Sequence, residues 1–202
     1  MTAKGGTAVN FAKRAAIVMA PLLLAGCISF GGKPPKQLIR LTPETTAPAG
    51  EMGGASLRNA LVVLDPEADR RLDVQRVPVQ VDDATVAYLK DATWVERPTR
   101  QFRRLLAETI RARGKHLVIE QGDASEDAKS VLSGRLLDMG YDARTRTIVV
   151  RFDAMHQDGS ANVTSRRFEA TVPGVSPKVG SVAPALNKAA NEVAAQVADW
   201  VG

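Results

Sequence analysis

The 202-residue sequence contains one cysteine, Cys27, whose thiol could be modified covalently. It follows an uncharged stretch, residues 15–26, which ends in the small residues Ala25 and Gly26. Three basic residues lie before that stretch: Lys4, Lys13 and Arg14. A basic start, a short apolar stretch and small residues at a junction are the three parts of an export signal. The thiol therefore lies where a signal peptide ends, and it has no second cysteine with which to pair.

The sequence Leu24-Ala25-Gly26-Cys27 resembles the lipobox of bacterial lipoproteins. This resemblance implies that the thiol is alkylated with a diacylglyceryl group, that the chain is cut between Gly26 and Cys27, and that the new amine is acylated. The uncharged stretch before it has twelve residues, whereas a membrane-spanning helix needs about 20. Two or more acyl chains hold a protein essentially permanently in a membrane. We therefore predict a signal peptide over residues 1–26 and a lipid anchor on Cys27.

Few other side chains are candidates for catalysis. The two histidines, His116 and His156, lie forty residues apart and fit structural positions better than a metal site. Asp82 and Asp83 are adjacent, and neighbours on a strand point to opposite faces, so a turn is the better interpretation. The sequence contains no H-E-x-x-H, G-x-S-x-G or phosphate-loop motif. We predict no catalytic residue, no metal and no cofactor besides the lipid on Cys27, so an ATP-driven process would need a separate ATPase.

The charge of the chain disfavours binding to nucleic acid. The formal net charge is +5, and removing the three basic residues of the signal leaves 24 Lys and Arg against 22 Asp and Glu, or +2. Nucleic-acid-binding domains are usually far more basic. With Cys27 used for the anchor, an internal disulfide is impossible, so the apolar core must supply the stability.

Hydrophobic patterning predicts one α+β domain, with a mixed, mostly antiparallel sheet and two main helices packed on it. Residues 27–37 form a lipidated tether, residues 38–202 the domain, and residues 43–56, which lack Val, Ile, Leu and Phe, a flexible loop within it. The expected strands are residues 38–42, 61–64, 74–81, 116–120, 130–141, 145–155 and 161–172. The last four are expected to form an antiparallel meander, with Ile148, Val150, Phe152 and Ala154 on one face of its third strand. The expected helices are residues 99–113, with Thr99 as N-cap and Gly114 as stop, and about 182–201, with Ser181 as N-cap.

The first predicted helix has apolar residues at helical spacing on one face and three arginines, Arg100, Arg104 and Arg111, on the other. Two interpretations stay open for these arginines. They form either an ordinary solvated face or a docking surface for an acidic partner or anionic lipid headgroups. Tyr88 and Trp94 precede this helix and are candidates either for packing in the core or for contact with a partner.

Residues 72–110 resemble the signature region of the ABC-type transport auxiliary lipoproteins. A strand, a Tyr-containing segment, a Trp and a helix rich in Phe, Leu and Arg follow one another in LDVQRVPVQVDDATVAYLKDATWVERPTRQFRRLLAETI. The lipobox and the Ala-rich terminal helix also match. One departure is local, because many members begin the domain with a Tyr-containing strand, whereas this chain has Leu38-Ile39-Arg40-Leu41.

The resemblance implies a non-catalytic lipoprotein anchored in the outer membrane and facing the periplasm. Its implied partners are an MCE-type periplasmic substrate-binding protein, which it docks, together with a permease and an ATPase that move phospholipid-like molecules between membranes. Homo-oligomers are compatible with the sequence. Two other classes stay open: a membrane-anchored periplasmic enzyme, which the missing catalytic motifs disfavour, and a structural or assembly lipoprotein of the cell envelope.

Overall fold

The fold is a mixed β-sheet with two helices on one face, as the sequence predicts for its α+β class. A computed structural model describes residues 37–50, 60–120, 130–160 and 162–202, all within one compact unit, Pro35–Gly202. In chain order the elements are β1 Leu38–Ile39, β2 Ala60–Val63, β3 Glu67–Ala68, β4 Arg76–Gln80, β5 Val86–Trp94, α1 Pro98–Ala112, β6 Leu117–Glu120, β7 Ser130–Asp142, β8 Thr147–Gln157, β9 Val163–Val172 and α2 Val179–Val201. Among these residues no helix is both long and apolar enough to cross a membrane.

Strand β7 organises the sheet. One of its edges pairs antiparallel with β8, which pairs antiparallel with β9, so the last three strands of the predicted meander are confirmed. Its predicted first strand, β6, is wrong, because β6 pairs in parallel with β2. The other edge pairs in parallel with three strands in turn: β2 near Ser130, β3 at Arg135 and β4 at Tyr141. Strand β6 lies outside β2, and β5 and β1 lie outside β4. The sheet therefore branches along β7, a feature that strand patterning alone does not reveal.

Strand β5 occupies a segment whose pattern predicts no clear element. It pairs antiparallel with β4, but its register shifts between Arg76 and Pro78 of β4. On β5 itself, Asp91 has a positive φ of 57°. A bulge adds residues to one strand and interrupts the alternation of buried and exposed side chains. This bulge explains why the strand is hard to recognise from the sequence.

Both helices begin earlier than the sequence predicts. In α1, Pro98 occupies the first helical position and Arg97 is the N-cap, so the assignment of Thr99 as N-cap is wrong. Proline suits this position because its fixed φ is helical and the helix needs no N–H there. In α2, Lys178 is the N-cap in place of Ser181. Gly114, with a φ of +70°, ends α1 as predicted.

The core lies between the sheet and the helices. On β8, the four residues predicted to share one face are all buried: Ile148, Val150, Phe152 and Ala154. The ring of Phe152 meets Phe102 of α1 edge to face, with 5.3 Å between centroids. Gly134 of β7 makes this close packing possible, because a Cβ there would lie 2.1 Å from the Asp153 carbonyl oxygen and 2.7 Å from the Phe152 ring.

The chain from Ile39 to Ala47, which we call the N-terminal strap, crosses both helices. The amide of Leu41 donates a hydrogen bond to Gln101 of α1, and that of Ala47 to Glu108. From α2, Asn191 accepts a hydrogen bond from the Glu44 amide at 2.8 Å and donates one to the Thr42 carbonyl at 2.9 Å, and Asn187 accepts one from the Thr42 amide. Residues 43–50 of the expected loop contain no helix or strand, and Glu44 and Ala47 are held by side chains of the two helices. The rest of that loop, residues 51–56, lies outside the described residues.

Candidate docking surface

The three arginines predicted to share one face of α1 have different surroundings. Arg104 has an exposed side chain, 58% accessible, that forms an ion pair with Glu96. Arg111 is only 22% accessible and pairs with Glu108 at 2.6 Å, while its second terminal nitrogen lies 3.8 Å from Glu120. Two of the three positive charges are therefore already balanced within the protein.

Arg100 differs from the other two. It is exposed, and its guanidinium has no ion-pair or hydrogen-bond partner among the residues that the structure describes. It lines a groove of about 580 Å³ together with Asp73, Glu96 and Arg97. Arg97 is itself paired with Asp73 at 3.1 Å. A carboxylate that entered this groove would find a guanidinium free to form a bidentate pair, the strong form of this contact.

Tyr88 and Trp94, both on β5, lie in different environments. Trp94 is 1% exposed and belongs to the core, so its side chain acts through packing and not through surface contact. Its indole N–H is buried without a hydrogen-bond partner. Tyr88 is half-buried, and the guanidinium carbon of Arg76 lies 3.9 Å from its ring centroid. Of the two aromatic candidates, only Tyr88 reaches the surface.

Cys27 and Gly26, the predicted lipid attachment and cleavage residues, lie outside the described residues. They stay predictions of the sequence motif. Within the described residues, no group of three or more His, Cys, Asp or Glu side chains is placed to hold a metal ion.

The two histidines lie near the end of α2. A ring nitrogen of His116, Nε2, is 3.2 Å from the Val201 carbonyl oxygen, and Nε2 of His156 is 3.1 Å from the Ser130 hydroxyl. The His156 ring also meets Trp200 edge to face at 5.8 Å. Burial lowers the pKa of His156, and the charge of His116 lowers it further. Both rings thus fit the structural role expected from the sequence.

Residues 41–198 match the sequence model of the ABC-type transport auxiliary lipoprotein component. The chain belongs to this family. The match includes the strap from Leu41, all of α1, the sheet from β2 to β9 and most of α2. The resemblance seen in the sequence is therefore confirmed, and the chain is an auxiliary lipoprotein component of an ABC-type transport system.

Two crystal structures share the fold. One, of a Xanthomonas campestris protein described as a member of the DUF330 family, is 19% identical, covers 81% of this chain and 91% of its own, and superposes with a TM-score of 0.63. The other, described only as an uncharacterized protein, is 13% identical, covers 82% of this chain and 100% of its own, and has a TM-score of 0.62. At such identities the likeness shows the fold alone. No curated protein matches the chain.

Several residues that shape this surface were not identified from the sequence. Glu96 pairs with Arg104, and Glu108 and Glu120 lie beside Arg111. Glu120 comes from β6, which only the fold brings close to α1. A spacing of three along a helix could have suggested the pair between Glu108 and Arg111. The side chains that hold the strap, such as Asn191, look like ordinary polar residues of a helix until the strap is placed against them.

Proposed function

We propose that this protein is a non-catalytic docking component, anchored by lipid in the outer membrane, of an MCE-type system that transports phospholipid-like molecules. Its membership of the ABC-type transport auxiliary lipoprotein family supports the transport role. The lipobox at Cys27 supports the anchor. The permease and the ATPase are separate subunits, and the chain docks the periplasmic MCE-type protein.

The length of the tether supports a role close to the membrane. Ten residues separate Cys27 from Leu38, and even a fully extended chain of that length reaches only about 35 Å. A domain of this size has a radius of gyration near 15 Å. An elongated partner must therefore provide the connection across the periplasm, and this protein holds the end of that partner near its own membrane.

The groove beside Arg100 is the docking position that the geometry supports best. Arg100 provides the unpaired guanidinium, and Arg104 is exposed enough to exchange Glu96 for a carboxylate of the partner. Arg111 is less suitable, because it is largely covered and paired with Glu108. We therefore narrow the three-arginine surface to its first two members, with an acidic segment of the MCE-type protein as the ligand.

Crosslinking in cells tests this function. A photo-crosslinking amino acid at positions 100 and 104 should capture the MCE-type protein, whereas one at Lys188, exposed on α2, should not. Arg100→Glu should reduce capture from position 104, because it places a carboxylate opposite an acidic partner. If a correctly anchored protein gives no MCE crosslink from any surface position, the docking role is wrong; crosslinks from α2 alone would keep the role and exclude the Arg100 groove.

A further inference from the structure

Charged side chains cover the sheet face opposite the helices, which we call the outer face. Arg167 of β9 forms two hydrogen bonds with Asp153 of β8, at 2.5 and 2.7 Å. Arg151 of β8 binds Asp138 and Glu169, each at 2.5 Å. Two further arginines at this face are also bound to carboxylates: Arg71 and Arg144. Pairing is thus the rule for arginines on the outer face.

Arg135 of β7 is the exception. Its register neighbours are Asp153 on β8 and Glu67 on β3. The carboxylate of Asp153 is already held by Arg167 through both of its oxygens. Neither Arg135 nor Glu67 has a side-chain hydrogen bond or ion pair within the described part of the chain. An exposed cation and an exposed carboxylate therefore stand side by side, each free to bind a ligand group.

These two residues line a groove of about 710 Å³, which we call the Arg135 groove. Ligand pockets in proteins commonly have volumes of about 300–1,000 Å³. Leu64 and Met155 contribute apolar surface to it. Its other charged lining residues already have contacts within the protein: Asp153 is paired with Arg167, Asp65 with Arg103, and the guanidinium of Arg166 lies 5.2 Å from the Phe168 ring centroid. On the same face, Val163 at the start of β9 is 57% exposed. Charge and apolar surface thus lie next to each other, which suits an amphiphilic ligand.

We propose that the Arg135 groove binds the headgroup of a zwitterionic phospholipid. The guanidinium of Arg135 takes the phosphate, since its fork matches phosphate oxygens in a bidentate way. Glu67 takes the headgroup ammonium. It lies opposite Arg135 on the neighbouring strand, and such strands are about 4.8 Å apart, so the two side chains can bind the two charges of one headgroup. Met155 and Val163 contact the first methylene groups of an acyl chain. This inference rests on the proposed function, which brings phospholipids to the protein.

The carboxylate of Glu67 distinguishes this ligand from a simpler anion. Inorganic phosphate would bind Arg135 but would also meet the negative charge of Glu67 and leave Met155 and Val163 exposed to water. A phospholipid whose headgroup carries no ammonium would meet the same repulsion. The combination of guanidinium, carboxylate and apolar surface therefore favours an ethanolamine-type headgroup.

Photo-crosslinking of lipid in cells provides the test. The full-length protein carries benzoylphenylalanine at position 163, beside the groove, or at position 171, at the other end of β9 on the same face. After illumination, mass spectrometry identifies lipid adducts. We expect phosphatidylethanolamine adducts from position 163 and few from position 171. Inorganic phosphate has no C–H bond, so it would give no adduct even if it filled the groove. The absence of lipid adducts from position 163 would therefore overturn the proposal.

Two substitutions separate the roles of the charges. Arg135→Gln should lower the adduct yield from position 163 about tenfold, because it removes the bidentate phosphate contact, whereas the control Lys188→Gln, which removes an exposed positive charge on α2, should leave it unchanged. Glu67→Gln should shift the adducts from phosphatidylethanolamine towards phosphatidylglycerol. Equal yields from positions 163 and 171, no effect of Arg135→Gln, or a preference for phosphatidylglycerol in the unsubstituted protein would each refute the proposed site. Both substituted residues are exposed, so melting temperatures should match and exclude misfolding.

Failure of this inference is distinguishable from failure of the proposed function. Lipid adducts at position 163 report on the outer face, whereas protein crosslinks at positions 100 and 104 report on α1. Loss of lipid adducts with intact MCE crosslinks would remove the lipid site and keep the docking role. Loss of MCE crosslinks with intact lipid adducts would exclude the docking role and keep the lipid site.

Discussion

Trp94 lies fully inside the core, yet its indole N–H has no hydrogen-bond partner. We expect Trp94→Ala to lower the free energy of unfolding by about 3–5 kcal/mol, the usual cost of removing a large buried aromatic side chain. Trp94→Phe should cost much less, because it keeps an aromatic ring and loses no hydrogen bond. Chemical denaturation of the three proteins measures both differences.

Tyr88→Ala is the matched control on the same strand. Tyr88 is half-buried and its main described contact is the guanidinium of Arg76 above its ring. Such a contact contributes about 0.5–1 kcal/mol at an exposed site. A loss for Tyr88→Ala as large as that for Trp94→Ala would contradict this division between a core residue and a surface residue.

Individual residues differ in how much the sequence reveals about them. The predicted role of Cys27 is recognisable in the sequence because its signal is local, a few small and apolar residues beside a thiol. Arg111 and Arg135 are not, because their states depend on partners from distant strands. Arg111 is close to Glu120 on β6, and Arg135 is left unpaired because Arg167 holds Asp153. Helical spacing predicts the face on which a residue lies but not the partner that the fold brings to it.

The N-terminal strap depends on Asn191, which is buried and binds both Thr42 and Glu44. Asn191→Ala leaves those backbone groups without partners, and we expect a loss of about 1–3 kcal/mol, the usual cost of an unsatisfied buried polar group. The Glu44 amide should also exchange its hydrogen faster. Denaturation and hydrogen exchange measure the two effects.

Asn187→Ala is the control for the strap. Asn187 is more exposed and accepts one hydrogen bond from the strap, so its loss should be smaller and the Glu44 amide should stay protected. If Asn191→Ala left the exchange at Glu44 unchanged, the strap would be held by contacts other than these hydrogen bonds.

The end of α2 should make stability depend on pH. Burial, together with the charge of His116, lowers the pKa of His156 in the folded protein, and Asp158 acts weakly in the opposite direction. Above about pH 6.5, the unperturbed value, the ring is neutral in both states. As the pH falls below it, the unfolded chain takes up the proton first, so unfolding becomes more favourable.

We therefore expect the melting temperature to fall between pH 7.5 and 5.5, and to fall less in His156→Gln. At pH 8 the His156 ring is neutral in both the folded and the unfolded protein. The difference between the two melting temperatures at that pH therefore gives the effect of the substitution itself. An identical decrease in both proteins on acidification would show that His156 does not contribute to the pH dependence.

At the scale of elements, the sequence predicts the antiparallel run of β7, β8 and β9, both helices and the side of β8 that is buried, but it wrongly adds β6 to that run. It does not predict which strands join β7, because alternation identifies a buried face but not a neighbour. The predicted first residues of both helices are wrong for a related reason. Thr99 and Ser181 are good capping residues, but Pro98 fits the first position of α1 better, and α2 begins at Val179.

For the whole molecule, the central prediction is that Cys27 carries the anchor. Cys27→Ala should leave an uncut chain that is absent from the outer-membrane fraction, since the lipobox needs its thiol. Ser29→Ala, two residues later, is the control and should be processed normally. Mass spectrometry of the purified proteins measures the cleavage and the lipid. An unmodified Cys27 in a cut, membrane-bound protein would exclude this anchor.

The branching of the sheet along β7 affects the order in which the molecule can be assembled. A chain is made from its N-terminus, and domains often begin to fold during synthesis. Until β7 exists, the pair β2 and β6 and the group of β1, β5 and β4 share no strand in the described sheet. A nascent chain that stops before Ser130 therefore holds two separate sheet fragments with open edges, which are prone to aggregation. The complete sheet can form only after residues 130–142 are present, so we expect a chain cut before Ser130 to aggregate.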